Sequence, residues 1–175
     1  MLTKTSEFLK VPSISEYLAF LEIEHNQWER LPSEHPFVVR LQVLAKLGGL
    51  WDVGHCRLEQ SRFIEKYYRT FKTKEFEAIL GLPQKRIASR ITLLKHQGKI
   101  SFDKVPDSEL PSYITPVLRY DKEGTLDTFL GIEDCARESG FSPSEVEWFI
   151  ENDSFSPNGD IFRSFGNPYL LNRKK

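Results

Sequence analysis

The sequence predicts a mainly α-helical fold with small β-wings, and three observations predict it. Apolar residues recur at helical spacing through most of the chain, punctuated by glycine and proline. Two Ser-x-x-Glu stretches, Ser13 to Glu16 and Ser142 to Glu145, have the form of a capping box that opens a helix. The run TKEFEAILGLPQKRIASRITLLKHQGKISF, Thr73 to Phe102, reads as a helix, a glycine turn, a second helix and an alternating strand. With 175 residues and 39% hydrophobic content, the chain can build a core without disulfide staples. The reading divides it into an N-terminal helical region (1–71), a basic unit (72–122) and an acidic unit (123–175).

The Ser13 box predicts a helix from Ile14 to Arg30, with Leu18, Leu21 and Trp28 on its apolar face and Pro32 ending it. A second helix follows from Pro36 to Leu47, carrying Phe37, Val38, Leu41, Leu44 and Ala45, and stopped by Gly48-Gly49. Leu50 to His55 reads as a connector. Leu58, Ser61, Ile64, Tyr67, Tyr68 and Phe71 return to helical spacing from Arg57 to Phe71, with Arg62, Lys66 and Arg69 outward. The helical pair at the N-terminus would support the basic unit or build a homodimer, since two-fold proteins suit palindromic sites.

Thr73 caps a helix to Leu80, Gly81 supplies the left-handed turn, and Pro83 suits the start of the next helix. Ile87, Ile91 and Leu94 share one face, matched to Phe76, Ile79 and Leu80 on the helix before. Advancing 100° per residue places Lys85, Ser89, Thr92 and His96 on the opposite side, with Arg86 and Ala88 flanking and Arg90 nearer the core edge. Ile100 and Phe102 alternate as a first strand, Asp103 to Ser112 is a loop, and Tyr113 to Tyr120 returns as a second strand with Lys104 near the tip.

Through Ala78, Gly81, Ile87, Ile91, Leu94, Gly98 and Ile100 this segment resembles the winged helix-turn-helix DNA-binding superfamily, over about a quarter of the chain. The resemblance implies a recognition helix lying in the major groove of double-stranded DNA. Lys85 and Arg86 would then face bases, with Ser89 and Thr92 on bases or phosphates. Lys72, Lys74, Arg90, Lys95 and Lys99 would neutralise phosphates, and Gln84, His96 and Lys104 complete the expected DNA-binding set. Charge agrees with it: residues 62–104 carry 11 Lys/Arg against 4 Asp/Glu, net +7, whereas residues 1–61 are net −2 and residues 105–175 net −6.

In the acidic unit, IEDCARESGFSPSEVEWFIEND predicts a helix from Ile132 to Ser139, a stop at Gly140 and a helix opened by Pro143. Its spacing is similar to the helix-turn-helix of phage excisionase-like proteins, with SPNGDIFRSFGNPYLLNRKK as the wing. Glu145, Glu147 and Glu151 would repel phosphates, so these three and Trp148 are expected to dock a protein partner instead.

Enzymatic patterns are missing from the sequence. His55 beside Cys56 has no third orienting residue, and His25, His35, His55 and His96 show no metal-ligand spacing. There is no phosphate-cradling glycine loop and no GxSxG turn. The expectation is a non-catalytic, cytoplasmic protein with no cofactor, no metal and no membrane segment, since its longest N-terminal apolar run covers only Tyr17 to Leu21. It would regulate transcription or serve a DNA-bound assembly. The alternative is a protein-protein adaptor that uses the same folds without binding nucleic acid.

Overall fold

A computed structural model describes residues 10–49 and 56–173. The expected connector over 50–55, including His55, lies outside the described residues, as do Lys174 and Lys175. Within them the chain is mixed α and β, with seven α-helices and two small antiparallel sheets. The helices are α1 (Ile14–Glu24), α2 (Pro36–Leu47), α3 (Leu58–Tyr67), α4 (Thr73–Leu80), α5 (Gln84–His96), α6 (Ile132–Ser139) and α7 (Pro143–Glu151). The strands are β1 (Tyr113–Ile114), β2 (Val117–Tyr120), β3 (Leu126–Phe129), β4 (Ile161–Ser164) and β5 (Tyr169–Leu170).

Local signals act where they were expected. Ser13 and Ser142 each accept the amide of the residue three positions on, while Glu16 and Glu145 reach back to the cap amides. Helix α1 is shorter than its predicted span. His25 leaves helical geometry at φ −152, and its ring lies against those of His35 and Phe37; the chain resumes as a 3-10 turn at Trp28–Arg30. The buried stripe of α1 is Tyr17, Phe20 and Leu21, one step round from Leu18.

A three-stranded sheet in the order β3-β2-β4 forms the centre. Val117 lies opposite Phe129 and Ser164, and Tyr120 opposite Leu126 and Ile161. Side chains alternate between the two faces. Leu118, Tyr120 and Ile161 pack with Tyr17, Leu21 and Leu44 of α1 and α2, whereas Val117, Phe129 and Phe162 pack with Cys135, Val146 and Phe149 of α6 and α7. Helix α3 runs beside β3, where the Lys66 ammonium donates to the Thr128 carbonyl at 2.6 Å and meets Asp127 at 3.1 Å. A third cluster joins Phe63, Ile64, Phe76, Ile79, Ile87 and Leu94, closing α3, α4 and α5 into a three-helix module. These cores cross the expected boundaries at 71/72 and 122/123.

The β-elements depart from the sequence expectation. No strand forms at Ile100–Phe102. Ile100 is buried in the three-helix core, and the Ser101 amide donates to the Glu65 carbonyl of α3 at 3.0 Å, so the segment follows a helix rather than a strand. Pro106 and Pro111 remove two more amide donors, and both edges of β2 are already taken by β3 and β4. The expected single strand Tyr113 to Tyr120 breaks at Thr115-Pro116, where the chain changes partners from β5 to β3 and β4. Nor does the expected wing segment form a hairpin over its described residues, 156–173, because β4 pairs with β2 while β5 pairs with β1.

After β4 the chain straps across the three-helix module. The Asn167 amide donates to the Ile79 carbonyl at 2.6 Å and its side chain to the Ala78 carbonyl at 3.3 Å, capping the end of α4. Arg173 donates to Asp107, to Glu75 and to the Thr70 carbonyl. This close approach needs a glycine at 166: its φ is +68, and a Cβ would stand 2.5 Å from the Ile79 carbonyl oxygen. Gly98 shares the same backbone conformation at φ +67 with open space around it. Gly98→Ala should therefore cost about 1 kcal/mol from backbone strain alone. Gly166→Ala should cost roughly 1–3 kcal/mol more, because backbone atoms must move; urea unfolding of both variants measures the difference.

Candidate nucleic-acid interface

The α4-turn-α5 unit is built from short-range rules. The Glu75 carboxylate accepts the Lys72 amide at 2.9 Å, so the cap is Lys72 and Thr73 is the first helical residue, the helix starting one position earlier than expected. Gly81 takes the left-handed conformation at φ 69, returning its amide to the Glu77 carbonyl at 2.9 Å. Leu82 drops into the core, and Pro83 caps α5 at φ −59. Ile87 and Leu94 are buried with Phe76, Ile79 and Leu80, and Ile91 is partly covered, which fixes the rotation of α5.

That rotation leaves Gln84, Lys85, Arg86, Ser89, Thr92, Lys95 and His96 exposed, as expected. Lys72 and Lys74 are exposed at the start of α4, and Lys99 just beyond α5. The hydroxyls of Ser89 and Thr92 donate to the carbonyls of Lys85 and Ala88, at 2.9 and 3.0 Å. Their hydrogens are thereby committed to the helix, and their lone pairs face outward as acceptors. Gln84 donates to Glu77 at 2.7 Å, and the Lys95 ammonium lies 5.1 Å from the Tyr68 ring centre. Lys104 lies apart from α5, 3.8 Å from Asp107, on the irregular segment that replaces the expected wing.

Arg90 departs from its expected role. It is 6% exposed and engaged within the protein, so its guanidinium has no path to a phosphate backbone. At 100° per residue it falls 60° from the centre of the buried stripe. Two apolar groups outside the expected DNA-facing set join the exposed surface: Leu93 on α5, at 41%, and Phe102, expected in a strand, at 75% with Arg69 over its ring. Leu93 lies on the outward side between Ser89 and Arg86 on the helical wheel.

The electrostatics around α5 are one-sided. From Ala78 to Phe102 the sequence carries no carboxylate and five cations, Lys85, Arg86, Arg90, Lys95 and Lys99. Among the described residues the four exposed ones make no ion pair, while nearby acids are occupied: Glu75 and Asp107 by Arg173, Glu77 by Gln84. Arg173 is thus part of the protein's own packing.

On α7, Val146 and Phe149 face the core, leaving Glu145, Glu147, Trp148 and Glu151 exposed. Phe162 is buried and Phe155 and Phe165 are partly covered, so of the aromatics around this helix Trp148 alone is open, at 53%. Elsewhere, a cleft of about 660 Å³ opens between Tyr67, Tyr113 and the start of α6. Its two cations are committed, Lys66 to Asp127 and Arg137 to Asp134. Cys56 and Cys135 are both buried, and burial pushes the Cys135 thiol up to about 12, leaving little thiolate at neutral pH. Among the described residues no group of three His, Cys, Asp or Glu could hold a metal ion, and no helix is long and apolar enough to cross a membrane.

Comparison with protein-family models, with curated proteins and with solved structures found no match.

Burial separates a packing arginine from a surface lysine on the same helix. Arg90→Ala should destabilise the fold by about 1–3 kcal/mol through lost packing and abandoned partners. Lys85→Ala should stay within about 0.5 kcal/mol. Thermal melts of the two variants give the comparison.

Proposed function

We propose that this protein binds double-stranded DNA by laying the outward face of α5 in the major groove, as a non-catalytic transcriptional regulator or accessory factor of a DNA-bound assembly. The observation that carries the reading is the α5 surface, where exposed, unpaired cations surround short polar side chains and no carboxylate intervenes. A groove about 12 Å wide admits a helix whose outward side chains are short near its centre, and Ala88, Ser89 and Thr92 meet that requirement. Lys85 and Arg86 sit in the first turn, where an amino-terminal approach brings donors to base edges. Lys72, Lys74, Lys95 and Lys99 contribute charge for phosphates. In this reading the unit is a winged-helix relative whose β-elements brace the helices from behind, and α7 of the acidic unit docks a protein.

A second reading, a protein-protein adaptor without nucleic acid, is favoured by the exposed Leu93 and Phe102, which phosphates do not require. Fluorescence anisotropy of a labelled random duplex separates the two. DNA binding through about four to six phosphate contacts should give log Kd against log salt a slope near 4 to 5. Lys85→Glu/Arg86→Glu should abolish it while leaving the melting temperature in place. Equal binding by wild type and variant sinks the α5 assignment, and no binding by wild type at low salt favours the adaptor.

A further inference from the structure

Two surfaces of this one chain complement each other. On α7, Trp148 projects nearly opposite the buried Val146, with Glu147 and Glu151 on one side of it and Glu145 on the other, by the 100° advance per residue. None of these three carboxylates has an ion-pair partner among the described residues, and the one bond Glu145 makes is to the Ser142 amide within its own cap. On α5, Leu93 stands exposed with Arg86 two turns before it on the same strip of the helix and Lys85 and His96 across the outward face. Each helix face therefore has one apolar group among exposed charges of a single sign, and the signs are opposite. An apolar contact ringed by polar or charged groups is the usual anatomy of a specific protein interface.

Neither apolar group is explained by the fold. Phe149, Val146 and Ile150 supply the core side of α7, while Trp148 is half exposed, its ring meeting that of Phe149 edge-on at a centroid distance of 5.9 Å. The α3-α4-α5 core is closed by Ile87, Ile91 and Leu94 without Leu93. Both faces are open to solvent within one molecule, so each is available to a second copy.

We propose that α7 of one copy docks on α5 of a second copy, seating Trp148 against Leu93 and the α7 glutamates against Lys85 and Arg86. The acidic helix then occupies the surface assigned above to DNA, so self-association and duplex binding exclude each other. This deepens the docking reading of the acidic unit and rests on the basic α5 face, not on DNA binding having been established. The contact is heterologous: each copy has one α5 and one α7 face, so assembly runs head to tail into chains or a closed ring. The two helices are only 9 and 13 residues long, which places the interface at the small, weak end of the range. Its charge rim makes it sensitive to salt.

Sedimentation velocity on the full chain, at about 0.03 M and about 0.5 M salt, tests this, because screening shortens steeply between the two. Wild type should gain mass with concentration at low salt and stay monomeric at high salt. Glu147→Lys/Glu151→Lys and Lys85→Glu/Arg86→Glu should each be monomeric alone, and their equimolar mixture should associate, since each supplies the sign the other needs. That recovery also establishes that both variants are folded. Trp148→Ala should weaken wild-type association about tenfold or more. Monomeric wild type at every concentration, or variants that associate as wild type does, overturns the proposal, as does a mixture that stays monomeric. Duplex anisotropy keeps the two readings apart. If wild type binds DNA but the mixture does not associate, the docking fails and the DNA reading stands. If the mixture associates and no form binds DNA, the reverse holds.

Discussion

Strand β2 is the element on which the arrangement hangs. It is hydrogen-bonded on both edges, to β3 and to β4, and its side chains are taken up on both faces. Register is therefore fixed by period-two alternation: a slip of one residue would carry Leu118 and Tyr120 into the α6-α7 side and Val117 and Arg119 into the α1-α2 side. Arg119 tolerates its half-buried place because its guanidinium lies 5.6 Å from the Phe129 ring centre. Through these four residues α1 and α2 pack on one face of the sheet and α6 and α7 on the other. Pro116, just before β2, turns the chain so that β1 can pair with β5 rather than continue the sheet.

What sequence reasoning reached divides by the range of the interaction. Capping boxes, glycine stops and the buried stripe of α5 are set within a few residues of one another, so Ser13 with Glu16, Gly81, Gly140 and Ile87 with Leu94 were legible from spacing. Strand partners are not local. A four-residue strand such as Val117–Tyr120 pairs as well with one alternating segment as with another, and the choice of β4, more than forty residues on, follows from the α7 and β4 cores packing on the same face. Ile100 and Phe102 alternate like a strand, yet Ile100 is worth more in the three-helix core. The candidate surface was legible apart from Arg90, Leu93 and Lys104. Arg90 lies where an angular estimate does not distinguish rim from core, and only packing decides.

The tail that follows β4 has two effects on the α4-α5 unit. Mechanically, Asn167 satisfies the last carbonyls of a helix of only eight residues, which could not hold itself in isolation. Electrostatically, Arg173 engages Glu75 and Asp107, the acids flanking the α4 start and the return from α5. With those carboxylates and Glu77 occupied, Lys85, Arg86, Lys95 and Lys99 make no ion pair among the described residues. A segment that belongs by charge to the acidic third of the chain thus occupies carboxylates that flank the basic third.

The near-zero net charge of the whole chain is then no obstacle to an anion-binding face. At ionic strengths near 0.15 M, exposed charges are screened beyond about 8 Å, a distance shorter than the width of a single helix with its side chains. The carboxylates of α7 therefore do not cancel the potential over α5 unless they are brought against it. Long-range attraction between this chain and a polyanion is weak at such salt, but at contact the cations of Lys85, Arg86, Lys95 and Lys99 act as a local patch. The same separation allows one molecule to carry an acidic helix and a basic helix without their pairing internally: they are displayed on different cores, α5 on the three-helix module and α7 on the far face of the sheet. The fold holds apart two surfaces that charge alone would bring together, which leaves both open to other molecules.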